Sequence, residues 1–173
     1  MDSPLERLRE VAADEQQAYS RGQDRPLGGY LAVMGVYAGT VAALTAAAKL
    51  TGRRLPERVT PWEVVLIAGA THKMSRLLTK DPVTSPLRAP FTSYEGVAGD
   101  AELAEEVRGH GVRHAIGELL TCPFCLSQWL ATGLASGLVF APRVTRLVAA
   151  TFAALAGADL LQYVRTYAQQ SVD

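Results

Sequence analysis

Four apolar stretches alternate with polar ones along this 173-residue chain. The first, Pro26 to Ala48, holds 23 residues between Arg25 and Lys49 without one charge. The third lies within a 24-residue run, Leu119 to Pro142, that is likewise free of Asp, Glu, Lys and Arg. Either is long enough to cross a hydrocarbon core of about 30 Å as a helix. The second opens on the capping box Thr60-Pro61-Trp62-Glu63 and runs to about Leu78; there the Thr hydroxyl takes the Glu63 amide, and Pro61 needs no donor. The fourth has Arg146 at its entrance and Asp159 inside. Pro142 separates it from the third, because proline cannot continue the preceding helix, so these two read as a helical hairpin. The pattern predicts an all-α chain with about four membrane-spanning or membrane-embedded helices, over 26–48, 61–78, 122–141 and 144–164.

Two polar regions flank these helices. Residues 1–25 open on a second capping box, Ser3-Pro4-Leu5-Glu6, and Leu5, Leu8, Val11 and Ala12 recur at helical spacing, which predicts a short amphipathic helix to about Tyr19. The first residues are polar and acidic where a secretory signal would be basic and then apolar, so membrane insertion is expected to use the internal helices. Residues 79–121 form a polar central loop in which Asp81-Pro82, Pro86 and Pro90 break helices, with a short helix expected from Asp100 to Arg108.

Composition adjusts this picture only slightly. Hydrophobic residues make up 49% of the chain and charged ones 20%, so a sizeable part is wet. With 17 basic and 17 acidic side chains, and no basic patch interleaved with aromatics, nothing draws the chain to nucleic acid. With the N-terminus inside, nine Lys and Arg residues fall on the inner segments against six outside. That excess places both termini and the two cysteines on the cytoplasmic side, where thiols stay reduced.

Small residues repeat one turn apart in Gly35-x3-Gly39 and Gly133-x3-Gly137. Such spacing lets helix backbones approach closely, within the chain or in a homo-oligomer or membrane-protein partner; an Ala- and Gly-rich composition also produces it unaided. His72, Arg76 and Lys80 share one face of the second helix with Lys73 nearby, and Asp159 lies on the fourth. Ionisable groups bare in hydrocarbon are costly. An Arg76 to Asp159 pair is the simplest remedy; snorkelling to an interface and a functional polar pathway are the alternatives.

The only two cysteines form Cys122-Pro123-Phe124-Cys125 at the start of the third apolar stretch. Three readings stay open. At a helix N-terminus the thiols would sit by free amides and the positive dipole end, which favours thiolate redox chemistry. Together with His110 and His114 they supply two thiols and two imidazoles, a tetrahedral set for zinc if the loop folds back. Or they are small packed residues at a helix entrance, with Trp129 as an interface anchor.

Two motifs carry a resemblance. Arg76-Leu77-Leu78-Thr79-Lys80-Asp81-x2-Thr84-x-Pro86-Leu87-Arg88-Ala89-Pro90-Phe91, followed by Glu118-Leu119-Leu120-Thr121-Cys122-Pro123-Phe124-Cys125-Leu126-x2-Trp129, resembles an uncharacterised bacterial family of small multi-pass membrane proteins, a domain of unknown function some of whose members are described as sporulation proteins. The resemblance spans about Trp62 to Tyr167. It implies a helical protein of the bacterial cell membrane, with Arg76, Asp81, Thr84, Arg88, Phe91, Glu118, Cys122, Cys125 and Trp129 as motif positions, and it implies no reaction. His110 and His114 are not part of the pattern.

Physically, the first motif reads as a polar knot at one membrane face. Asp81-Pro82 ends a helix, Thr84 bonds local backbone, and Arg88 offers a five-donor fork that clamps Asp81 or Glu118; in the alternative, Arg88 and Phe91 bind lipid headgroups or a partner. The functional expectation is an integral membrane protein of structural or interaction role rather than an enzyme, lying in the lipid bilayer. A membrane thiol-redox or zinc-binding protein built on the cysteines, and a soluble helical domain, are the competing classes.

Overall fold

The computed structural model describes residues 3–23, 25–99 and 101–171. The chain is mostly helical: α1 (Pro4–Ser20), α2 (Leu27–Leu50), α3 (Pro61–Lys80), a single 3-10 turn (Pro82–Thr84), α4 (Ser85–Arg88), an antiparallel hairpin of β1 (Thr92–Gly99) and β2 (Glu102–Val107), then α5 (Val112–Thr121), α6 (Pro123–Phe140) and α7 (Pro142–Gln170).

Both capping boxes form. Ser3 accepts the Glu6 amide while the Glu6 carboxylate takes the Ser3 amide at 2.6 Å, and Thr60 and Glu63 repeat the exchange. The exposed Glu6 carboxyl is held below its ordinary value of 4.5, first by that backbone amide and then by the Ser3 hydroxyl. A depressed carboxyl favours the helix above its unfolded pKa and loses that contribution as pH falls through the lowered one. The helical amide shifts of residues 5–9 should therefore hold above pH 4.5 and decay below it. Shifts that stay constant through acidification would remove the charge from the cap.

α3 is the central helix. Ion pairs and close contacts join it to α7 in ascending order along both, Glu63 with Arg146, Gly69 with Ala153 and Lys73 with Asp159, so the two run parallel. A Cβ built on Gly69 would stand 3.2 Å from the Ala153 methyl, which shows how close the backbones come. Between α3, α6 and α7 lies a small core of Ala70, Leu134 and Ala149, with Leu66, Ile67, Met74, Val148 and Phe152 packed against it. α2 attaches mainly by its first half. Gly29 lies against the Gly111 carbonyl and Ala115 of α5, and Tyr37 bonds Thr132 at 2.8 Å and meets the Trp129 ring edge-on at 5.0 Å.

Among the described residues three helices, α2, α6 and α7, are long and apolar enough to cross a membrane, by length and composition. At 1.5 Å per residue they measure about 36, 27 and 44 Å. α3 is not among them: it carries Glu63, Lys73, Arg76 and Lys80, and it buries its small face, Ala70, Ser75 and Thr79. The all-α expectation needs correction as well. The span 79–121 is no plain loop, and the helix expected from Asp100 to Arg108 is strand β2, Asp100 itself lying outside the described residues. Thr92–Gly99 supplies the partner, Ala101 turns the chain at φ 60°, and the register runs from Thr92 opposite Val107 to Gly99 opposite Glu102. Strand preference depends on what pairs alongside, and here cross-strand bonds override the helix propensity of Glu-Leu-Ala-Glu-Glu.

Candidate functional site

The chain leaves α3 at Asp81, whose extended backbone ends the helix before Pro82. The next eight residues curl around Arg88, which is completely buried. Its Nη1 donates to the Leu78 carbonyl at 2.9 Å and the Thr84 hydroxyl at 2.7 Å. Its Nη2 donates to the Asp81 carbonyl at 3.1 Å and Ser85 at 3.3 Å, and Nε donates to the Glu105 carboxylate on β2. Thr84 in turn donates to the Leu77 carbonyl at 2.6 Å. Glu105 is 6% exposed, so a sealed ion pair stitches the hairpin to the end of α3. This corrects two expectations. Arg88 clamps neither the Asp81 carboxylate nor Glu118, and, having no exposed surface, it does not present itself to lipid headgroups or partners.

Glu118 serves a different contact. It pairs with Arg25 at 2.5 Å, tying the segment before α2 to α5, and His114 Nε2 stands 3.5 Å from the same oxygen. Phe91, half-buried, closes the knot through its backbone, its amide donating to the Arg88 carbonyl at 2.8 Å and its carbonyl accepting from the Arg108 amide at 2.9 Å. Trp129, the other motif aromatic, faces α2 through Tyr37.

Arg76 and Asp159 do not pair with each other. Arg76 goes to Glu102 of β2, and Asp159 takes Lys73 at 2.7 Å. All four border a half-open cleft of about 370 Å³ between α3 and α7, rimmed by Asp81 and continued along α7 by Ala156 and Leu160. Glu102 and Glu105 are the polar residues that sequence reasoning passed over, and Lys73 was noted there without Asp159 as its partner. The two glutamates sat in a segment read as helical, and Lys73 sat one residue off the face defined by His72 and Arg76.

Cys122 caps α6, its sulfur accepting the Cys125 amide at 3.2 Å. No disulfide joins them, Cys122 being half-buried and Cys125 exposed. Among the described residues no three His, Cys, Asp or Glu side chains gather closely enough to hold a metal ion, so the set of His110, His114, Cys122 and Cys125 is not assembled. Of the small-residue positions, Gly137 is used within the chain, where a Cβ would lie 2.5 Å from the Thr145 hydroxyl. Gly35, Gly39 and Gly133 border open space.

Comparison with known proteins adds a family and a relative. The model of a family described as "Protein of unknown function (DUF1360)" matches residues 66–165. The sporulation protein YjcA of Bacillus subtilis (strain 168) is 37% identical over 71 residues, covering 39% of this chain. The chain spans 60% of that relative's length. No solved structure matches.

Proposed function

This chain belongs to the DUF1360 family of unknown function, and on that premise we propose that it is a four-helix integral membrane protein with a structural or interaction role and no catalytic one. The carrying observation is the outer surface of α2. None of its most apolar 18-residue window is buried within the protein, and Leu31, Met34 and Val36 are each more than 60% exposed. In water these large apolar side chains would all face solvent, whereas lipid matches them. α6 and α7 present the same kind of surface, and α3, with Glu63, Lys73 and Arg76 in ion pairs, completes the bundle as the helix most shielded by protein.

In this arrangement α2 and α6 run from the knot's side of the bilayer, and α3 and α7 return to it. The excess of basic residues on that side makes it cytoplasmic. The knot and the Arg25 to Glu118 pair then form a rigid polar platform at the inner surface, with α1 projecting from it. The likeness to a sporulation protein supports a role in that process.

The chain should pellet with membranes, resist an alkaline wash and need detergent for extraction. Release into the supernatant would overturn the reading. Cys122 and Cys125 should stay shielded from impermeant thiol reagents added outside intact cells; rapid labelling there would reverse the topology.

A further inference from the structure

The ion pairs along the knot-side half of α3 and just beyond it are of two kinds. Arg88 and Glu105 are sealed, at 0% and 6% side-chain exposure. Lys73 with Asp159 and Arg76 with Glu102 are open, at 20% and 41% and at 40% and 19%. The sealed pair is closed to any ligand, with its hydrogen bonds all met inside the knot. Two adjacent pairs left half-open along one cleft remain able to exchange partners.

We propose that this cleft binds the headgroup of a zwitterionic phospholipid, a phosphate ester bearing an ammonium group. The inference rests on the membrane placement above. A lone anion entering here would gain Lys73 and Arg76 but leave Asp159 and Glu102 uncompensated beside it; a lone cation would do the reverse. Stranding a partly buried charge is the costly outcome. A zwitterion avoids it, because its phosphate takes the two cations of α3 while its ammonium takes the carboxylates, and every charge keeps a partner. Asp81 adds a third carboxylate at the rim and favours the ammonium end there.

Position agrees with chemistry. From the Glu63 to Arg146 pair at the far side, ten residues of α3 reach Lys73 and thirteen of α7 reach Asp159, about 15 and 20 Å along the axes. Lys73 thus stands near the middle of a bilayer core about 30 Å thick and Asp159 about two thirds of the way across, and the cleft runs from there to Asp81 and Glu102 at the knot's side, where the headgroups lie. Its α7 wall continues into Ala156 and Leu160, and Leu160 is 63% exposed on a surface where acyl chains would lie.

The test is calorimetric titration of the full chain in detergent with short-chain phosphatidylethanolamine, short-chain phosphatidylglycerol, free phosphoethanolamine and inorganic phosphate. The ethanolamine lipid should bind about tenfold more tightly than the glycerol lipid or either soluble probe. Asp159→Asn and Arg76→Gln should each weaken it by about tenfold, and Arg146→Gln at the far pair should not. Equal binding of the two lipids overturns the zwitterion. Free phosphoethanolamine binding as tightly as the lipid overturns the lipid source, and unchanged affinity in Asp159→Asn overturns the site. Should a variant fail to fold, the ranking of the four probes on the unaltered chain decides. A chain that needs detergent yet shows no lipid preference sinks this site alone; a chain freed by alkaline wash sinks the membrane reading instead.

Discussion

Arg88→Ala should destabilise the fold by about 3–5 kcal/mol, because it strands the Glu105 carboxylate in a site sealed from water. The same change removes the donors to the Leu78 and Asp81 carbonyls, so the end of α3 loses its connection to the hairpin as well. Arg108→Ala is the comparison. Its guanidinium is exposed and donates to the Ala89 carbonyl, which limits the loss to about 0.5–1.5 kcal/mol. Glu105→Gln should fall between the two, since the amide oxygen still accepts from Arg88 while the charge is gone. Unfolding in mixed detergent micelles measures all three. Equal stability of Arg88→Ala and Arg108→Ala would show that the knot does not hold this end of the protein.

The second large effect concerns how α2 is attached, and it depends on two neighbouring glycines with opposite surroundings. A Cβ at position 29 would meet the Gly111 carbonyl oxygen at 2.6 Å and the Ala115 methyl at 3.1 Å; a Cβ at position 28 meets nothing within 4 Å. Gly29→Ala should thus cost about 1–3 kcal/mol by overpacking, and Gly28→Ala should stabilise α2 by up to about 1 kcal/mol through helix propensity. The same preparations report geometry, because Trp129 lies against Tyr37 of α2 and its fluorescence should shift only in Gly29→Ala. Similar effects of both substitutions would mean that α2 is not docked on α5.

What the sequence determined by itself is what short range determines. A capping box closes within four residues, so Ser3 with Glu6 and Thr60 with Glu63 could be read as pairs before any tertiary contact was known. Proline breaks its own helix, so the division between α6 and α7 at Pro142 was equally legible. Charge-free length marked α2 and α6, and Arg88 stood out as the fork of a knot. Tertiary structure decided the partners. Arg88 found the Glu105 carboxylate rather than that of Asp81 or Glu118, and Asp159 found Lys73 rather than Arg76, because those choices follow from which elements meet and how each helix is rotated against its neighbour. The hairpin shows the same division most clearly. Glu102–Val107 has the composition of a helix, and only Thr92–Gly99 lying alongside, with its row of unsatisfied amides and carbonyls, makes a strand the lower-energy way to hydrogen-bond that backbone.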